Sequence, residues 1–190
     1  VEGHTHNVTF SAKGTEVGEY DGTITAKEAV VIKSGETDVT ANYNITVTNG
    51  TLTIEQTAEA LTVELSGASY VYDGEAHSLT AEATTNAASG TTTIEYSKDG
   101  EAWTSDLSSL TATNVADSCE IQVRATNPNY KNTATASAQL TITQRPVTFT
   151  ATSDTKTYTG SEIEITDLTA TGLVEGHTHN VTFSAKGTEV

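Results

Sequence analysis

His4 and His6 in the run His4-Thr5-His6 stand on one side of any extended segment, and the pair recurs as His177 and His179. Two imidazoles so placed could share a metal ion, but a site needs more donors than two. No third histidine or cysteine lies near them in sequence, Glu2 and Asn7 are unspecific neighbours, and Gly3 sets the pair in a loop. A solvated loop accounts for them better than a metal centre. Asp21-Gly22, Asp73-Gly74 and Asp99-Gly100 could offer carboxylate oxygens to calcium at a domain joint. None has the dense oxygen spacing of a dedicated calcium loop, and turn geometry alone explains Asp before Gly. Lys13, Lys27, Lys131 and Lys156 are candidates for an intramolecular isopeptide bond to an asparagine, a reaction that releases ammonia. Asn7-Val8-Thr9, Asn44-Ile45-Thr46, Asn49-Gly50-Thr51 and Asn180-Val181-Thr182 match the glycosylation sequon, which arises readily by chance in so threonine-rich a chain. Serine, histidine and aspartate are all present, yet no nucleophile elbow, phosphate loop or paired carboxylates stand out. The residues therefore assign no catalytic group, no cofactor-binding group and no metal ligand, and an enzyme is the class they support least.

The elements that carry these residues are organised by a repeat, which has to be sought before fold is argued. Val1 to Val17 read VEGHTHNVTFSAKGTEV, and Val174 to Val190 repeat those seventeen positions without a substitution, a period of 173 residues. The expectation is a tandem array that continues in both directions, with the two ends as arbitrary cuts. Joining Leu173 to Val1 exposes two modules of 85 residues within each period. The first runs from Arg145 through Leu173 and on from Val1 to Gln56; the second runs from Ala60 to Gln144. The two align at their ends. Leu52-Thr53-Ile54-Glu55-Gln56 matches Leu140-Thr141-Ile142-Thr143-Gln144, Asn42-Tyr43-Asn44 matches Asn129-Tyr130-Lys131, and Tyr158-Thr159-Gly160 matches Tyr72-Asp73-Gly74. Between these anchors the modules trade insertions, residues 27–38 in the first and residues 96–103 in the second. The expected domains are therefore 1–56, the C-terminal part of one module; 60–144, a complete second-type domain; and 145–190, the N-terminal part of the next.

Composition narrows the class. Methionine is absent, proline occurs twice, and threonine, serine and valine crowd the chain, a mix that suits a pleated, half-buried surface. The formal charge of −16 argues against nucleic acid, whose phosphates need a basic footprint. It disfavours anionic membrane surfaces as well, and suits a protein kept soluble at high local concentration. No apolar run approaches the length needed to cross a bilayer. One cysteine, Cys119, allows no disulfide framework within the chain, and its place beside Ile121 and Val123 on one strand face predicts a buried core thiol.

Alternation of apolar and polar residues predicts strands at Val8–Ser11, Thr23–Ala26, Val30–Ile32, Leu61–Leu65, Ser78–Ala83, Glu120–Ala125, Ala138–Thr143 and Val147–Ala151. A two-residue hairpin at Asn49-Gly50 would set Val47 opposite Leu52 and Ile45 opposite Ile54. A second hairpin is expected from Ile94 to Trp103, and a short helix at 162–169 or 26–33. Turn residues at such intervals predict an all-β chain of tandem small β-sandwich-like domains in a linear array, immunoglobulin-like or, as the alternative, β-grasp-like. Short linkers, Arg145-Pro146 and Thr57-Ala58-Glu59, predict stiff joints.

The closing pattern Asp38-Val39-Thr40-Ala41-Asn42-Tyr43-Asn44-Ile45-Thr46, followed by Asn49-Gly50-Thr51-Leu52-Thr53-Ile54, resembles the end of MBG domains, which repeat in large bacterial surface proteins. Pro146-Val147, Lys156-Thr157-Tyr158 and Thr171-Gly172-Leu173 resemble the opening of that family, with Tyr158-Thr159-Gly160 where the family has Tyr-Gly. The second module, with Tyr72-Asp73-Gly74, Tyr96 to Trp103 and Asn127-Pro128-Asn129-Tyr130, looks like modules that alternate with MBG domains. The resemblance implies a secreted or wall-attached adhesin or stalk with no catalytic residues to transfer.

The functional expectation is thus a structural repeat of an extracellular stalk or fibre at the bacterial surface, without cofactors, whose partners are neighbouring copies of itself. One alternative is a multivalent module that binds a glycan or matrix protein weakly, through aromatics such as Trp103, Tyr96, Tyr72 and Tyr130. Another is a filament subunit complemented head to tail, because residues 145–190 and residues 18–56 together make up one module.

Overall fold

A computed structural model describes residues 1–189; Val190, the last position of the second copy of the repeated segment, lies outside the described residues. The chain is all-β, and its helical stretches among the described residues are three-residue 3₁₀ turns. The strands are β1 (His4–His6), β2 (Phe10–Ser11), β3 (Gly18–Asp21), β4 (Thr23–Ile24), β5 (Ile32–Ser34), β6 (Thr37–Asp38), β7 (Thr51–Ile54), β8 (Val63–Glu64) and β9 (Ala68–Val71). They continue with β10 (Thr84–Thr85), β11 (Thr93–Ser97), β12 (Cys119–Thr126), β13 (Ala134–Thr143), β14 (Thr148–Ala151), β15 (Ile163–Ile165), β16 (Leu168–Thr171) and β17 (Ala185–Gly187). Contacts gather the chain into two compact units, one formed by Val1–Val63, Thr84–Ile94 and Arg124–Thr135, the other by Glu64–Ala83, Glu95–Val123 and the residues from Ala136 onward.

In the first compact unit β5 pairs antiparallel with both β1 and β6, setting His4 opposite Ser34 and His6 opposite Ile32. β2 pairs with β4 and β3 with β7, so Phe10 faces Ile24 and Tyr20 faces Leu52. Two aromatic rings use glycines as seats. A Cβ on Gly22 would stand 2.1 Å from the Phe10 ring, and one on Gly14 would stand 2.2 Å from the Tyr20 ring, so both residues must lack a side chain. Val30, Leu61, Val63, Ala125, Tyr130 and Ala134 are the buried apolar residues of this unit.

In the second compact unit β13 pairs with β9 in parallel, Leu140 opposite Ala68 and Thr143 opposite Val71. A parallel pair needs a long crossover, and the chain between Val71 and Ala134 supplies it. The full sheet has the order β11-β12-β13-β9. Ile121 and Val123 on β12, and Leu140 and Ile142 on β13, are within 1% of complete burial and alternate with more exposed neighbours, as a sheet with one apolar face requires. β14 pairs with β16, and β15 with β17, both antiparallel. Gly172, just past β16, has φ +93°, and a Cβ there would meet the Pro146 carbonyl oxygen at 2.3 Å, so no other residue fits this close return of the chain.

Every buried apolar side chain except Val30 lies between Leu61 and Ile142 in sequence. Apart from Val30, residues 1–56 and 145–189 keep their apolar side chains half-buried or exposed, Phe10, Phe149 and Tyr158 among them.

Several expected elements take another form. The Asn49-Gly50 hairpin does not form, and no non-glycine residue has positive φ among the described residues. Instead Gly50 accepts a hydrogen bond from the Gly22 N–H at 2.8 Å, and β7 takes β3 as its partner, so Leu52 faces Tyr20 rather than Val47. Tertiary pairing has overridden the local turn preference. Ser78–Ala83 is irregular: the Ala83 N–H donates to the Tyr96 hydroxyl at 2.9 Å rather than to a ladder. Residues 162–169 contain β15 and the start of β16 rather than a helix, while Lys27–Ala29 form a 3₁₀ turn. The hairpin at 94–103 does return, with Tyr96 and Thr104 exchanging N–H to carbonyl bonds of 2.7 and 2.9 Å. Cys119 sits on the face of Ile121 and Val123 but is half-buried rather than buried, because it opens β12, where the sheet begins.

Leu140→Ala removes a side chain with no solvent exposure and should lower stability by about 2–5 kcal/mol in a urea melt. Leu52→Ala, made at a half-buried position in the aligned closing strand, should cost distinctly less.

Candidate functional site

The histidines of the repeated segment are used singly. On β1, His4 Nδ1 shares a hydrogen bond of 2.6 Å with the Tyr43 hydroxyl, while His6 Nδ1 accepts from the Val8 N–H at 3.2 Å. In the second copy the His177 ring lies 5.9 Å from Tyr72, and the His179 ring stands edge-on to Phe149 at 4.9 Å. Among the described residues no three of His, Cys, Asp or Glu gather where they could hold a metal ion.

Two of the aspartates before glycine, Asp99 and Asp73, are occupied by their own turns. Asp99 Oδ1 accepts from the Glu101 N–H at 2.8 Å, the Ala102 N–H at 2.9 Å and the Ser97 hydroxyl at 2.8 Å. Those bonds, led by the one from Glu101, lower its pKa from the usual 3.8 to about 2. Ser97, the buried polar residue beneath this turn, accepts in return from the Asp99 and Gly100 N–H groups. Asp73 is held alike: the Glu75 N–H first and then His77 Nε2 lower its pKa, and the His77 ring stacks on Tyr70 at 4.2 Å. Asp21 lies at the end of β3 opposite Thr51. The Asp73 and Asp99 carboxylates have donors already, so they serve loop structure.

Lys13, Lys27 and Lys131 are exposed, and Lys156 pairs with Asp154 at 2.5 Å. Asn7 is structural in the first copy of the segment: its Nδ2 donates to the Ala29 carbonyl at 2.9 Å and its Oδ1 accepts from the Val31 N–H at 2.8 Å. Asn44, Asn49 and Asn180 are exposed. Of the aromatics considered for ligand contact, Tyr96 and Tyr130 are buried. Trp103 and Tyr72 are half-buried, with Trp103 Nε1 donating to the Gly100 carbonyl at 3.0 Å.

What the structure does bring together is the joint after the first module, all of it within the first compact unit. Gln56 Nε2 donates to the carbonyls of Pro128 and Tyr130, both at 3.0 Å. The Thr57 N–H donates to the Asn129 carbonyl at 2.9 Å. Asn129 Oδ1 accepts from the Val17 N–H at 3.0 Å, and its Nδ2 donates to the Glu16 carboxylate and, at 3.3 Å, to Ser89 Oγ. Behind it the buried Asn127 donates to the Ser89 carbonyl and Thr92 hydroxyl and accepts from the Asn129 N–H. At the joint after the second module, Arg145 Nε donates to the Gly172 carbonyl at 2.5 Å. The linkers were legible as short in sequence; the roles of Glu16, Gln56, Asn127 and Asn129 were not, because their partners lie far away along the chain.

The repeated segment itself takes two sets of partners. Its opening turn is the same in both copies: Gly3 and Gly176 each have φ +81°, with His4 N–H bonded to Val1 and His177 N–H to Val174. Beyond that turn, the first copy pairs forward, through β1 with β5 and β2 with β4. The second pairs backward, through β17 with β15. No protein-family model matches the chain, and no curated protein matches its sequence.

Asp99 stabilises its turn fully above pH 3.8, and that contribution is lost as the pH falls through about 2, because the folded carboxyl holds its charge below the unfolded value. The Glu101 and Ala102 amide resonances should therefore inflect near that lower pH, and inflection at the ordinary carboxylate value would show the turn open in solution. Asn129→Ala should cost about 1–3 kcal/mol and speed hydrogen exchange at Val17, whose amide loses its acceptor; unchanged protection at Val17 would contradict the joint.

Proposed function

We propose that the chain is a non-enzymatic structural repeat of an extracellular stalk or fibre, of the kind carried by adhesin-like proteins at bacterial surfaces. The observation that carries this reading is the seventeen-residue identity 173 residues apart, which marks near-identical tandem copies. Copies can be added or lost from such an array without altering any site, and a spacer tolerates that where an enzyme does not. The resemblance of the closing and opening motifs to MBG domains supports the same conclusion.

On this reading the modules are small β-sandwich-like domains, immunoglobulin-like or β-grasp-like, set in a line with few free residues between them. The hydrogen bonds around Asn129 and Gln56 support stiff joints, because a linker fixed on both sides has little freedom left to lose. Partners are the neighbouring copies. A charge of −16 suits an exposed, soluble thread and speaks against a nucleic-acid partner. No helix among the described residues is long and apolar enough to cross a membrane.

Electron microscopy of the native material tests the proposal. Two modules with radii of gyration near 12 Å give an expected axial repeat of about 60 Å or more along unbranched threads. Isolated globular particles without an axial repeat would overturn it.

A further inference from the structure

We infer that Asn49-Gly50 is a site of spontaneous covalent modification, where the asparagine side chain closes on the next backbone nitrogen, releases ammonia and hydrolyses to aspartate and isoaspartate. The inference goes beyond the structural reading above and holds whether or not the chain forms fibres. Asparagine is a chemically labile residue, but cyclisation needs a side-chain amide with no other partner. It also needs a following backbone nitrogen that is unengaged and open to approach.

The fold sorts the ten asparagines of the chain by these requirements. Six have side chains withdrawn by hydrogen bonds. Asn7 is fixed between Ala29 and Val31, Asn86 between Ala60 and Thr62, and Asn132 holds both the N–H and the carbonyl of Leu61. Asn114, Asn127 and Asn129 are bonded as well. Asn42, Asn44, Asn49 and Asn180 are exposed, and their side chains have no such bond among the described residues. Three of these four are followed by Tyr43, Ile45 and Val181, whose side chains crowd the nitrogen that would have to attack. Asn49 alone joins a free amide to a glycine.

The backbone at Asn49 agrees. The expected hairpin would have locked the pair inside a tight turn; the structure leaves it in the irregular stretch before β7, with no positive φ at Asn49. The Gly50 N–H has no acceptor among the described residues, although its carbonyl accepts from the Gly22 N–H at 2.8 Å. The Asp-Gly pairs can cyclise by the same route but are restrained. The Asp73 and Asp99 carboxylates hold their own turns, and at Asp21 the following nitrogen is the one bound to Gly50.

In the first step the Gly50 nitrogen attacks the Asn49 side-chain carbonyl carbon. That nitrogen gives up its proton, the bond from the carbon to the amide nitrogen breaks, and ammonia leaves. Water then opens the cyclic imide. Opening at the side-chain carbonyl gives aspartate; opening at the main-chain carbonyl gives isoaspartate, with the backbone rerouted through the side chain. One water is consumed, one ammonia is released, and nothing is oxidised or reduced. Each conversion adds a negative charge to a chain that already carries −16. Isoaspartate also lengthens the backbone by a methylene at the entry to β7. The Phe10 ring rests on Gly22 and Gly50, where an added Cβ would stand 2.1 and 3.1 Å from it, so a shifted Gly50 disturbs both this seat and the bond from Gly22.

The test incubates the full folded chain in mildly alkaline buffer, which favours the deprotonated nitrogen. Peptide mass spectrometry and labelling by an isoaspartyl methyltransferase then locate the product. Asn49 should convert first and carry the isoaspartate label, and Asn49→Gln should abolish that label. In the purified isoaspartate form, hydrogen exchange should be faster at the Gly22 amide, whose acceptor has moved. A peptide spanning residues 46–53 gives the reaction without the fold. Conversion of that peptide while Asn49 stays intact in the folded chain would overturn the inference, as would earlier conversion of another asparagine. Unchanged exchange at Gly22 in the converted chain would overturn the proposed effect on the seat of Phe10.

Discussion

Burial along β12 and β13 is the constraint on which the rest of the structure depends. Only 35% of the residues are hydrophobic, and those that leave solvent almost completely are concentrated on alternate positions of these two strands. Where the period of two is strict and long, side chains from neighbouring strands meet on one face and exclude water. Where strands are two to four residues long, as in 1–56 and 145–189, alternation yields half-burial only. A chain so rich in threonine has little apolar surface to spend on more than one such face, so the flanking segments depend on pairing with whatever edge is offered.

Polar groups then determine local shape. The loops around Asp99, Asp73 and Asn127 are closed by side chains that satisfy nearby backbone donors, and no buried side-chain nitrogen or oxygen among the described residues lacks a hydrogen bond. An aspartate already accepting three hydrogen bonds offers a metal ion little that its own turn does not use.

The parts of the fold legible in sequence were those governed by short-range periodicity. Glu120–Ala125 and Ala138–Thr143 lie within β12 and β13. The Asn49-Gly50 turn misled because its local preference is worth less than the pairing of β7 with β3 and the seat that Gly50 and Gly22 leave for Phe10. Cys119 was placed on the right face but at the wrong depth, since a strand's first residue lacks neighbours on one side. The joint around Asn129 was invisible for a different reason: Glu16 and Asn129 are brought together by the fold, and nothing in either residue's surroundings along the chain names the other.

The parallel pairing of β9 with β13 has a mechanical consequence. β9 lies near the start of the second module and β13 at its end, so tension applied between the module's two ends pulls these strands in opposite directions along their length. The rungs from Leu140 opposite Ala68 to Thr143 opposite Val71 are then loaded in shear, and all must fail together. An antiparallel hairpin pulled from its open end would yield one rung at a time. The same few hydrogen bonds therefore resist a greater force in this arrangement than they would if they parted one by one.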